Sequence, residues 1–126
     1  MLASRILLPD RIPVMTAEDA QLLRERVVAA NEVLREEAAK LADHTVEAEW
    51  RLSPVTPPPR AELVLSLGQA RLTHQFFLGE LADPANVRKR LRNELWYLVA
   101  TYSANNQKEI TRLLSELRQD HALAGK

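Results

Sequence analysis

Several residue types that carry chemistry are absent or scarce in this chain. It has no cysteine, which excludes a disulfide framework, a thiolate nucleophile and a cysteine metal site. That absence suits a reducing compartment. It has three glycines in 126 residues, too few for a phosphate-cradling glycine loop. No G-x-S-x-G, H-E-x-x-H or C-x-x-C occurs. Aromatics are sparse, with two each of tryptophan, tyrosine and phenylalanine. Charge of one sign is not in excess: 17 basic residues meet 17 acidic ones, so bulk charge argues neither for nucleic acid nor for a membrane surface. No apolar run approaches the roughly 20 residues of a membrane span. The single apolar run in Met1–Met15, Ile6-Leu7-Leu8, is too short for a signal peptide, and the expectation is a cytoplasmic protein with no membrane partner.

What is present is enough for one domain, residues 1–126, with a core that needs no staple: 46% of residues are hydrophobic and 27% charged. The best-specified segment is central, Ala61 to Leu78. Folded about Gly68-Gln69, it sets Leu67 opposite Ala70, Leu65 opposite Leu72, Leu63 opposite His74 and Ala61 opposite Phe76 on one apolar face. The other face carries Ser66 with Arg71, Val64 with Thr73 and Glu62 with Gln75. Glycine at the first central position suits a two-residue type II′ turn. A rival reading starts a helix at Gly68, capped by Ser66 and Gln69, but Leu72, Phe76 and Phe77 make a patchy stripe that Gly79 breaks. The strand reading is the expectation for 69–82.

Before this hairpin, Val46, Ala48, Trp50 and Leu52 alternate with Thr45, Glu47, Glu49 and Arg51, the period of a half-buried strand. Residues 53–60, with Pro54 and Pro57-Pro58-Pro59, read as a stiff proline-rich hairpin loop. Residues 1–15 read as an extended arm, interrupted by Pro9 and Pro13, in which Ile6–Leu8 could form an edge strand or pack as an arm on a partner. A long helix is predicted from about Ala17 to Ala42. Thr16 and Asp19 form its cap, and Leu23, Val27, Ala30, Leu34, Ala38 and Leu41 form its stripe. Asp83-Pro84 opens a second helix, over 84–101, through Val87, Leu91, Leu95, Leu98 and Tyr102. Asn105-Asn106 are expected to interrupt it, and Asn106 with Glu109 to cap a third helix burying Ile110, Leu113, Leu114 and Leu117. The expected fold class is α+β: a long N-terminal helix, a three-stranded antiparallel meander and two C-terminal helices on one sheet face. The order helix, three strands, helix is similar to that of double-stranded RNA-binding domains and YbaB-type nucleoid-associated proteins. This is a likeness of element order that transfers no residues.

Five groups of residues are candidates for function. His74, inward on a strand, suits either a general base or a core histidine bonded to backbone. Arg88, Lys89, Arg90 and Arg92, at the positive end of their helix, could meet phosphates or form a solvated face balanced by Glu80, Asp83 and Glu94. Glu47 and Glu49 share a strand face without a histidine to complete a metal site, and read as surface. The Pro57–Arg60 stretch could dock in a polyproline-binding groove, or only stiffen its loop. Leu22, Val33, Phe77 and Trp96 lie beside their apolar stripes and are candidates for a partner surface. No catalytic residue, metal site or cofactor is expected. The function expected is a non-enzymatic protein-binding or assembly module that self-associates, with nucleic-acid binding through the basic helix start as the alternative.

Overall fold

A computed structural model describes residues 1–41, 43–53 and 58–124, and within the last helix side chains as far as 116. In chain order the elements are β1 (Leu2–Leu7), α1 (Ala17–Ala39), β2 (Val46–Leu52), β3 (Arg60–Leu67), β4 (Ala70–Phe77), a 3-10 turn (Glu80–Ala82) and α2 (Pro84–Ala124). The strands form one four-stranded sheet in the order β1-β2-β3-β4. β1 runs parallel to β2, and the other neighbours are antiparallel.

The sheet corrects the expected fold class. It is mixed and four-stranded, the first element is a strand and not a helix, and one C-terminal helix stands where two were expected. The element order shared with RNA-binding and nucleoid-associated domains therefore fails at its first element. The reason lies in residues 2–7. They precede both prolines of the arm, so each amide there is free to pair. A parallel partner needs a long crossover, which α1 supplies. Leu2 lies against Val46 and Ile6 against Trp50. The Met1 ammonium donates to the His44 carbonyl at 3.0 Å, and Val46 N donates to the Met1 carbonyl at 3.0 Å, fixing the start of the pairing.

α1 begins where Thr16 Oγ1 accepts from Asp19 N at 3.1 Å, with Glu18 and Asp19 at the positive end of the helix. It buries Leu23, Val27, Ala30, Leu34 and Ala38 against the sheet and α2. Two polar side chains join this face. Asn31 donates to Ser4 Oγ of β1 at 3.1 Å and accepts from Trp50 Nε1 of β2 at 3.1 Å, so one amide ties three elements. The centre of the core holds Trp50 and Phe76, ring centroids 5.8 Å apart, with Leu63, Leu65, Leu91 and Leu95.

The β3–β4 hairpin has the register read from its sequence, Leu67↔Ala70 through Leu63↔His74 to Ala61↔Phe76. Gly68 has φ +58°, and among the described residues it alone is positive, as a type II′ turn requires. Of the proline-rich loop, residues 54–57 lie outside the described ones.

α2 opens with Asp83 Oδ1 accepting from Ala85 N at 3.1 Å and Pro84 in the first turn. It then continues unbroken for 41 residues. Asn105-Asn106 do not end it. An asparagine costs a helix interior only about 0.7 kcal/mol, whereas a break strands up to four donors and four acceptors. No proline or glycine stands between Ala85 and Ala124 to force one.

Candidate interaction surface

α2 is two helices' worth of work in one element. Its first half packs on the sheet and α1, burying Val87, Leu91, Leu95 and Leu98. Tyr102 is the last residue the domain covers. Its ring meets the Gly68 turn on one side and His44 edge-on at 5.7 Å on the other. From Ser103 to Glu116 every residue is exposed. At 1.5 Å per residue the stretch from 103 to 124 extends about 33 Å beyond the domain.

That projecting half is not uniformly polar. Ile110, Leu113 and Leu114 are exposed to 51%, 46% and 51%. They were expected to be a buried face, and this is overturned: the helix does not fold back, so nothing within the described chain covers them. The side chain of Leu117, the fourth residue of that expected face, lies outside the described ones.

The stripe continues a face already in use. Stepping by seven residues, Arg92, Val99, Asn106 and Leu113 form one line, and Trp96, Ser103, Ile110 and Leu117 form another. At the lower ends of these lines stands α1: Arg92 binds Glu37, and Trp96 lines a depression with Lys40, Leu41 and Leu95. The side of α2 that α1 covers thus becomes the bare apolar side once α1 has ended. Away from the stripe, Arg112 binds Glu109 and, at 3.1 Å, Glu116.

The basic residues at the start of α2 are mostly engaged within the chain. Arg88 binds Glu36 at 2.5 Å and Glu37 at 2.9 Å. Arg92 donates to Glu37 from Nε at 3.2 Å and from Nη2 at 3.1 Å, and Lys40 reaches the same carboxylate at 3.2 Å. Glu37 is nearly sealed, its side chain 2% exposed. The Arg92 hydrogen bonds, opposed by burial and joined by those of Arg88 and Lys40, lower its pKa from 4.5 to about 2. Arg90 binds Glu80 at 2.9 Å, and Lys89 is exposed. The four do not converge on one outward surface: three of them face acids on other elements.

His74 is half-buried on the helix side of β4, its ring 4.6 Å from that of Phe76. Nδ1 lies 3.2 Å from Glu94 Oε1 and Nε2 lies 3.5 Å from Arg90 Nη1. Both nitrogens are faced by α2 side chains, so the ring ties β4 to α2.

Of the proposed partner residues, Leu22 is half-buried and Val33 is half-buried against the core. Phe77 is 36% exposed beneath the Arg60 guanidinium, which sits 5.7 Å from its ring centroid. Trp96 is 58% exposed. Only Trp96 lies on the face that continues into the projecting stripe. Sequence reasoning missed Ile110, Leu113 and Leu114 as a surface because it folded them inward. The signal that could have found them was the absence of any proline or glycine between the second helix and the third.

Glu47 and Glu49 lie on the outer sheet face, in a shallow depression with Arg5, Val64, Ser66 and Arg71. Among the described residues no group of three or more His, Asp or Glu side chains is placed to hold a metal ion, and no helix is long and apolar enough to cross a membrane. No protein-family model, curated protein or solved structure matches this chain.

Proposed function

We propose that the chain is a non-enzymatic protein-binding module that docks a helical surface on the projecting half of α2. The observation that carries this reading is the exposure of Ile110, Leu113 and Leu114 on a helix whose described side chains beyond Tyr102, residues 103–116, are all exposed. Isolated helices of this length are marginal in water, and helices in proteins draw most of their stability from packing an apolar face. A contiguous exposed apolar stripe marks an interaction site more often than an isolated exposed leucine does. Catalysis has no comparable support: the His74 ring already faces Glu94 and Arg90.

The test compares the full chain with an Ile110→Asp, Leu113→Asp double variant whose helix content is checked by circular dichroism. The expected outcome is an interaction, with itself or with another purified protein, that the wild type makes and the variant loses. If every interaction of the chain survives the substitutions, the reading is wrong.

A further inference from the structure

We infer that the free edge of β1 is an interaction surface of its own, distinct from the α2 stripe, and that its occupant is the β1 strand of a second copy. The two strands pair antiparallel about a two-fold axis at Ser4, joining two four-stranded sheets into one of eight.

β1 ends the sheet, and among the described residues no other backbone pairs with its outer side. The pairing with β2 fixes which backbone groups are left there. Val46 N donates to the Met1 carbonyl, so in a parallel ladder Met1, Ala3, Arg5 and Leu7 turn their backbone groups to β2. Leu2, Ser4 and Ile6 turn theirs outward. The strand contains no proline, and its single charge is Arg5. Ile6 and Leu7 are exposed on its two faces. An edge of this kind is a template for another strand.

Only outward groups can bond across the edge, so an antiparallel partner copy must set even-numbered residues against even-numbered ones. Three registers do this while keeping most of the strand in use. A register about Ala3 leaves Ile6 and Leu7 beyond the end of the other strand. One about Arg5 sets two Arg5 side chains directly opposite each other, which is destabilising. The register about Ser4 pairs Ile6 with Leu2 on the helix side and Leu7 with Met1 on the outer side. Met1, Ile6 and Leu7, all exposed in one copy, each gain an apolar neighbour. The same positions serve both sides, as an isologous interface requires. The two-fold keeps the helices of both copies on one face of the joined sheet. Exposed Val28 lies by helical spacing on the flank of α1 from which Arg24 and Asn31 reach Leu8 O and Ser4 Oγ, and so faces the α1 of the other copy.

Charge favours a second copy over an unrelated strand. In the Ser4 register Arg5 lies opposite Ala3, which is too small to block it, and the neighbour of Ala3 on β2 is Glu47. Arg5, Ala3 and Glu47 line the same outer-face depression. Among the described residues neither Arg5 nor Glu47 makes an ion pair, whereas Glu49 is held 3.8 Å from Arg51. Arg5 of one copy and Glu47 of the other stand two strand spacings apart, about 10 Å, a gap that their side chains together close. The symmetry makes this contact twice. The interface is small, so the expected dissociation constant is on the order of ten micromolar.

The test uses the full chain in sedimentation velocity over concentrations that bracket this value. A monomer–dimer equilibrium is expected. Ser4→Pro removes the N–H at the two-fold centre, a donor the fold leaves unused, and should weaken pairing at least roughly thirtyfold. Ile6→Lys, which leaves Ser4 and its bond to Asn31 in place, should also break the pairing. Arg5→Glu and Glu47→Arg should each weaken it on the order of tenfold, and an equimolar mixture of the two should restore it. That rescue can come only from contacts between copies, since each variant chain carries like charges at both positions. Because the chain has no cysteine, introduced thiols report the register: on oxidation A3C should link to R5C, and R5C should not link to itself. A chain that stays monomeric throughout, a dimer indifferent to both edge variants, or self-linking of R5C would each overturn the inference. So would a monomer whose β1 edge instead takes up an unrelated extended peptide. The Ile110→Asp, Leu113→Asp double variant should dimerise like the wild type. A dimer lost in that variant and kept in the edge variants overturns this pairing and supports the docking reading of α2.

Discussion

A methyl group on Gly68 would lie 2.8 Å from Cε2 of Tyr102 and 3.2 Å from its Cδ2. The turn of the hairpin and the last covered residue of α2 are therefore in direct van der Waals contact, and glycine is what lets them meet. Its φ of +58° makes the same demand on the backbone. Gly68→Ala should cost about 1–3 kcal/mol in urea unfolding, from the left-handed backbone and the displaced ring together. In a Tyr102→Ala background the ring contribution vanishes, so the double variant should lose less than the sum of the two single losses. Full additivity would mean that the contact carries no strain.

Glu37 should govern stability in acid. Its folded pKa is depressed to about 2, so its stabilising contribution is complete above the ordinary value of 4.5 and is lost as pH falls through 4.5 toward 2. Denaturant midpoints measured across this window should fall steeply for the wild type and less steeply for Glu37→Gln. The variant should also lose about 1–3 kcal/mol at neutral pH, because Arg88 and Arg92 lose a shared acceptor but can turn to water. A midpoint in Glu37→Gln that tracks the wild type throughout would mean that other carboxylates set the acid limit.

The same network bears on nucleic acid. Arg88, Arg90 and Arg92 are already paired with Glu36, Glu37 and Glu80, so a phosphate must compete with a carboxylate at each. Fluorescence anisotropy with duplex DNA or RNA should show weak binding even at low salt. Tight binding whose logarithm falls linearly with that of salt, and which is lost when Arg88, Lys89, Arg90 and Arg92 are all replaced by Ala, would revive that function.

Asn31 should be a structural keystone. Asn31→Leu removes the acceptor for Trp50 Nε1 and the donor to Ser4 Oγ, leaving a buried indole N–H unsatisfied. The expected loss is about 1–3 kcal/mol. A shift in tryptophan fluorescence should accompany it, with Trp96→Phe as background so that Trp50 alone reports. Unchanged stability would mean that the amide bridges contribute nothing net.

Period-two alternation identified β2 and β4 well, because a strand with one buried face writes its register into the sequence, and β3, buried on both faces over Ala61–Leu65, was placed by its pairing with β4, as Leu63 against His74 shows. β1 was obscured because only Leu2 of its six residues is buried, which leaves no alternation to detect. Its partner, moreover, is separated from it by a whole helix. The end of α2 was misread for a different reason. Ile110, Leu113 and Leu114 have the spacing of a buried stripe, and spacing reports amphipathicity without saying which molecule supplies the other side. The Arg88–Glu37 and Arg92–Glu37 contacts were invisible for a third: they join residues more than fifty positions apart, and charge composition carries no pairing information.

The parallel pairing of β1 also gives the sheet an unequal order of assembly. β3 and β4 close through a two-residue turn, and β2 joins β3 through a short loop, whereas β1 reaches β2 only after residues 8–45 have been drawn into a closed ring that contains α1. The entropic cost of closure rises with the length drawn in, and non-local pairings form late. Three strands are therefore expected to close first, with the far side of β2 bare, and a bare strand edge is where two unfinished chains mispair. The residues of β1 complete the fold and, in the same step, cover that edge of β2, leaving at the margin of the sheet a six-residue strand of which only Leu2 is buried.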